Sequence, residues 1–473
     1  MKESYSLHNL VRNFLILLLL FVLILAPRPI LGELDLASAV RFGAAAQYTQ
    51  AASAYVSAAQ RLPWLPGLWE KAGDAYLQAN DYYRSDYAYV QALERHALSP
   101  NGYMHWGDAA FARGDPRFAV DLWNELLQNG GDASILLGRI AYGYKARSNY
   151  SAEIQAWQKY LLHQPKDAAA RYRLGLLLAA SSPEDALPDL VQAASLDSSL
   201  DASVQSLRSA LNTAFLSDDR AYQLLVSGRA LGTAGEWRLA GEAFHNAIAA
   251  RPEYAEAWAW LAEAEQQQDQ DGTAEIEKAR RLNPDSAMVQ SLYGLYLQRQ
   301  KQPVKALAAF QIAALLEPEN PGWQMALGGA FEQTDDLVAA LEHYQRAVQL
   351  APEAAPVWRA LADFSLRDSV DPTGIGLPAA RRLVELASDD WQSVDIAGQI
   401  ILETGDLPGA EALLNKAIEL DPTQAAPFLH LGLLYLQTGN RPAAYSHLIQ
   451  ARDFDPDGTS GWQAGRLLEQ YFP

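Results

Sequence analysis

The chain has 473 residues, 49% hydrophobic and 20% charged, which excludes a disordered polymer. It contains no cysteine, so disulfides, thiolate metal sites, iron–sulfur clusters and thiol catalysis are ruled out. The formal net charge is −19, with most of the acidity after residue 200; such a field repels phosphate backbones and sets nucleic acid aside as a partner.

The first element is an unbroken apolar run from Phe14 to Ala26, FLILLLLFVLILA, with Lys2 and Arg12 ahead of it and Glu33 and Asp35 behind. Positive charge before an apolar run places the N-terminus inside the cell and the remainder outside. The run matches the core of a secretory signal better than a full span, which needs about 20 residues. Yet Ile30, Leu31 and Gly32 extend it beyond Arg28, so a span over residues 11–32 reads equally well. Residues 1–32 are therefore a signal peptide or a retained signal anchor. Cleavage after Gly32, or at Ala37-Ser38-Ala39, fits the first reading. The rest of the chain is expected on the outer face of the cytoplasmic membrane, or secreted or periplasmic after cleavage.

Beyond this segment the sequence repeats. Pro284, Pro318 and Pro352 recur with a period of 34, as do Pro422 and Pro456. At fixed offsets before Pro318 stand Tyr293, Gly294, Leu297, Ala306, Phe310 and Ala313; before Pro352 stand Leu327, Gly328, Phe331, Ala340, Tyr344 and Ala347. The same offsets place Gly228 and Ala240 before Pro252, Gly398 and Ala410 before Pro422, and Gly432 and Ala444 before Pro456. Apolar residues three and four apart put one stripe on each of two helices. A glycine inside a helix costs about 1 kcal/mol relative to alanine, so its recurrence needs a packing reason: a close helix crossing. The terminal proline stops the second helix, having no N–H to continue it.

This pattern resembles the tetratricopeptide repeat, W-x2-L-G-x2-Y…A-x3-F…P, with Trp69, Trp258 and Trp358 at its tryptophan position. The resemblance implies an all-α fold, a right-handed superhelical solenoid of about twelve helix–turn–helix repeats. Residues 33–200 hold about five repeats and residues 221–458 about seven. Between them, residues 201–220 fit no repeat; Val204, Leu207, Leu211, Ala214 and Phe215 have helical spacing, and an odd helix there is expected to break the regular path. The seventh repeat is short, in QQQDQDG, and the tenth carries a long turn in SLRDSVDPTGIGLP. Residues 459–473 read as a capping helix over the last stacking face.

A search for chemistry finds none. The eight histidines never fall at i and i+4, and no H-E-x-x-H occurs, so no metal is expected. No phosphate-cradling loop and no nucleophile elbow is present, so no cofactor and no catalytic residue is assigned, and the chain is read as a non-enzyme.

The family's groove is lined by the first helix of each repeat. Carried onto this sequence, its fifth and ninth positions include Glu70, Asp74, Met104, Asp108, Tyr142, Tyr172, Arg229, Glu263, Arg359, Asp363, Asp395 and Gln399. Family members that hold a peptide's terminal carboxylate use paired Lys and Asn there; here no Lys stands at those positions and acids outnumber the two arginines. The resemblance implies other proteins or peptides as partners, in a cell-envelope, secretion or polysaccharide-assembly complex. The alternative is a glycan-binding accessory, whose Trp and Tyr would stack on sugar rings. The cytoplasmic membrane is a further contact through residues 11–32 if that segment is kept.

Overall fold

A computed structural model describes residues 11–16, 27–367 and 370–473. Most of the apolar run expected to be signal or anchor, residues 17–26, lies outside the described residues. Among the described residues the chain is an all-α helical-repeat solenoid without strands. None of their helices is long and apolar enough to cross a membrane.

The chain forms two compact units, Met1–Ala243 and Phe244–Pro473, whose boundary falls inside the helix Trp237–Ala250. The first unit is a row of helical hairpins: Pro27–Ala44 with Tyr48–Arg61, Leu68–Gln78 with Tyr82–Glu94, Pro100–Ala112 with Pro116–Gln128, Ala133–Ala146 with Tyr150–His163, and Ala168–Ser181 with Pro183–Leu196. A lone helix, Asp201–Ala214, precedes Arg220–Thr233. The second unit continues with Ala255–Gln266 and Thr273–Leu282, Ala287–Arg299 and Pro303–Leu316, Pro321–Glu332 and Leu337–Leu350. Ala355–Arg367 and Leu377–Leu386, Trp391–Glu403 and Leu407–Leu420, Ala425–Gln437 and Arg441–Phe454 follow. Helix Thr459–Tyr471 closes the unit by packing on the last hairpin.

Local chemistry sets these boundaries. Asp81, Asp115, Asp336 and Asp406 each precede a second helix and accept a backbone N–H from its first turn, which supplies partners to groups that a helix end leaves without them. The turn inside many of the hairpins passes through the left-handed region at one recurring position, occupied by Asn80, Gly114, Ser148, Lys301, Gly405 and Gly439. At the other end of the repeat, the carbonyl of the terminal proline is received by the fourth residue of the next first helix. Trp258 Nε1 donates to the Pro252 carbonyl and Trp358 Nε1 to that of Pro352, both at 2.8 Å. Gln290 Nε2 does the same for Pro284 at 2.7 Å, and Arg171 Nε for Pro165 at 2.9 Å.

The recurring small residues lie at the crossing within each hairpin. Ala240, Ala306, Ala340, Ala410 and Ala444 have no exposed surface. A Cβ built on Gly294 would stand 2.7 Å from the Phe310 ring, on Gly398 2.8 Å from Leu414, and on Gly432 2.6 Å from Leu448. Gly228 is buried in the helix Arg220–Thr233.

Two features differ from expectation. The lone helix Asp201–Ala214 does not interrupt the stacking of first helices: Ala168–Ser181 packs directly on Arg220–Thr233, and the buried Ser227 hydroxyl donates to the Ala179 carbonyl at 2.5 Å. The lone helix instead fills the space between Pro183–Leu196 and Arg220–Thr233. At the N-terminus, helix Pro27–Ala44 runs without a break through the boundary placed at Gly32. Its Gly32 lies against the buried Leu62 that directly follows the second helix, so these residues belong to the first hairpin.

Candidate functional site

In the first unit, the groove positions are tied to the next repeat. Glu70 accepts from the backbone N–H and the hydroxyl of Ser99, both at 2.6 Å, and so buttresses the start of the following first helix. Asp74 accepts from Tyr89 Oη at 2.7 Å and meets His105 Nδ1 at 2.8 Å. One repeat later, Asp108 accepts from Arg139 Nε at 2.7 Å and from Nη2 at 3.1 Å, a two-toothed ion pair. Met104 is half-buried and gives its carbonyl to Trp123 Nε1 at 3.1 Å. Tyr142 stands exposed, edge-on to Trp157 at 5.2 Å. Tyr172 is half-buried, and burial pushes its hydroxyl pKa up. Arg229 is exposed.

The second unit repeats the arrangement. Glu263 is buried and accepts from Arg299 Nη1 and Nη2, both at 2.6 Å, and from Gln267 at 2.8 Å. Asp395, also buried, meets His430 Nδ1 at 2.7 Å and accepts from Gln399 Nε2 at 3.1 Å. Arg359 reaches forward to Asp390 and donates to Ser393 Oγ at 2.7 Å. Asp363 is held by burial above the usual carboxylate range, although Arg367 and Arg359 pull it down.

The groove positions thus form a ladder of side-chain hydrogen bonds and ion pairs between consecutive repeats. Its other half was not among the sequence candidates: His105, Arg139, Arg299 and His430 answer Asp74, Asp108, Glu263 and Asp395. The signal lay in the numbering. His105, Arg139 and Arg173 follow one another at the repeat period on successive first helices. Where the partner position holds Tyr142 instead of an acid, Arg173 turns to Glu153, which is fully buried.

Tryptophans serve this framework as well. Trp106 Nε1 donates to Asp86 at 2.7 Å, Trp157 Nε1 to Glu153 at 3.2 Å, and Trp323 Nε1 to Glu317 at 2.8 Å. Among the described residues no cluster of His, Asp or Glu could hold a metal ion.

Residues 225–287 and 292–355 match the family model for the tetratricopeptide repeat, and residues 398–439 match a second model for the TPR repeat. These stretches are tetratricopeptide repeats. No curated protein matches the sequence. Among solved structures, the chain is similar to one titled as the APC/C hetero-tetramer Cut9-Hcn1, at 14% identity over 96% of this chain and 99% of that one, with a TM-score of 0.42. Yeast Tom70 is similar at 16% identity over 93% and 95%, with a TM-score of 0.42. YrrB, described as a TPR protein with an unusual peptide-binding site, aligns at 22% identity over 40% of this chain and 97% of that one, with a TM-score of 0.32.

Proposed function

We propose that this chain is a non-catalytic scaffold that works outside the cytoplasm, held at the membrane through its N-terminal segment, and binds polypeptide segments on the face of its first helices. The assembly it serves is one of the cell envelope, of secretion or of polysaccharide assembly. One observation carries the binding reading: first helices of neighbouring repeats are tied side chain to side chain, from Asp74–His105 and Asp108–Arg139 in one unit to Glu263–Arg299 in the other. Such ties hold each face rigid before a partner arrives, which lowers the entropy cost of binding. The tryptophans favour polypeptide over glycan, because Trp69, Trp106, Trp123 and Trp157 are buried, so their ring faces are closed to stacking on sugar.

A photo-crosslinking amino acid at Tyr142 tests this, with Leu162 on the second helix of the same repeat as control; both sites are exposed. Polypeptide adducts at 142 and none at 162 are expected from cells. Adducts to carbohydrate alone, or equal labelling at both sites, overturn the reading. Location is tested separately by a reporter fused behind Pro473 that is active only after export; activity of a cytoplasm-only reporter in its place sinks it.

A further inference from the structure

Helix Pro27–Ala44 is apolar on two opposite sides. The inner side belongs to the first hairpin: Ala39 has no exposed surface, Asp35 pairs with Arg61, and a Cβ on Gly32 would stand 2.5 Å from Leu62 Cγ. The outer side presents Ile30, Leu31 and Leu34, exposed by 63, 46 and 59%. Three large apolar side chains on one exposed helix face are a contact surface, not scattered surface residues. Upstream, the helical residues 11–16 expose Val11, Phe14, Leu15 and Ile16 as well. The two uncovered patches therefore flank, in sequence, ten residues that are all Leu, Ile, Phe, Val or Ala.

A single environment suits both patches and the run between them: hydrocarbon. The charges around the outer face agree. Arg28 and Arg41 are exposed at either end of it, with Arg12 in the upstream turn and Glu33 as the one exposed acid nearby. An apolar helix face bordered by arginine is the pattern of a helix lying in the headgroup layer of an anionic bilayer.

We propose that helix Pro27–Ala44 lies along the membrane surface, with Ile30, Leu31 and Leu34 at the acyl boundary, and so is at once the first helix of the repeat array and its lipid seat. This rests on the reading that the chain is held at a membrane. It adds that the segment is kept: cleavage after Gly32 or after Ala39 would cut inside the helix, at residues packed on Leu62 or fully buried.

Because the chain has no cysteine, Leu34→Cys can carry an environment-sensitive fluorophore alone, with Ser53→Cys on the exposed side of the second helix as control. The full-length protein is reconstituted with vesicles of phosphatidylcholine and phosphatidylglycerol, floated on a gradient, and quenched with brominated lipid. The protein floats, and the label at 34 shifts to the blue and is quenched, while the label at 53 is neither. If the protein floats but both labels behave alike, the lipid seat is wrong and membrane attachment stands. If it does not float, both fall. A label at 34 that is shielded from water yet untouched by brominated lipid, and crosslinks to a second copy, overturns the proposal in favour of self-association.

Discussion

Gly328 faces the ring of Tyr344 so closely that a Cβ on the glycine would stand 2.8 Å from the tyrosine's Cε1. The ring cannot retreat freely, because its hydroxyl donates to Glu332 at 2.9 Å and the ring lies against Phe364 of the next repeat at 5.2 Å. Replacing Gly328 by leucine must therefore part the two helices, and overpacking of this kind costs about 1–3 kcal/mol. At an open helix site the same change would stabilise by roughly 0.5–1 kcal/mol through helix propensity. The sign decides. A urea melt should show Gly328→Leu destabilised, with an early or broadened transition, since repeats couple mainly to their neighbours. A variant as stable as the parent would contradict the crossing.

Lys301 sits at the left-handed turn position with φ of 56°, where Gly405 and Gly439 stand in other repeats. An L side chain in that region is disfavoured by about 1–2 kcal/mol, part of which glycine gives back as unfolded-chain entropy. Lys301→Gly should therefore stabilise by about 0.5–1 kcal/mol, read as a higher midpoint in thermal unfolding. A loss of stability would mean that the lysine side chain makes a compensating contact.

Glu265 lies in the seventh repeat, where burial comes first, and then Glu275 and Asp271, in pushing its pKa up from 4.5 to about 7. A raised carboxyl pKa means that the folded chain holds more protons than the unfolded chain between those two values. Stability therefore falls as pH climbs from 4.5 to about 7 and stays lowered above it. Glu265→Gln removes that slope. The variant should match the parent at low pH and exceed it at pH ~8 in chemical denaturation; identical pH profiles would remove the basis for this coupling.

His105 shows the opposite sign. Its hydrogen bond to Asp74 raises the imidazole pKa above the usual 6.5, burial and Arg139 work against this, and Asp108 adds to it. The charged pair contributes stability that is fully present below the unfolded pKa and is lost as pH rises through the folded one. Asp74→Asn should lower the titration midpoint of His105, followed by its ring proton resonances in NMR. An unmoved midpoint would show that the pair does not form in solution.

The repeat boundaries were legible because Gly, Ala and Pro at fixed offsets mark packing events inside one repeat. Gly294 and Phe310 lie on the two helices of a single hairpin, so the period alone brings them together. The ion-pair ladder was not legible in the same way. Asp108 finds Arg139 in the next repeat, at a spacing that departs from the period because the bond runs diagonally between helices. Read singly, Asp74 and Asp108 resemble solvated surface; only their partners give them a role. The N-terminal boundary misled for a different reason. Ile30, Leu31 and Gly32 continue an apolar run in sequence, while in space Gly32 answers Leu62. The lone helix was visible from its spacing, but the Ser227–Ala179 bond that carries the stacking past it joins residues of two different repeats.

The ladder also gives each unit a mechanical character. The faces of neighbouring repeats are joined by two kinds of tie, ionic rungs such as Asp108–Arg139 and apolar contacts such as that of Tyr344 with Phe364. Salt weakens the first kind and leaves the second nearly untouched. Each unit is then stiffened on one side by bonds that the surrounding electrolyte loosens, so that its resistance to bending falls as ionic strength rises.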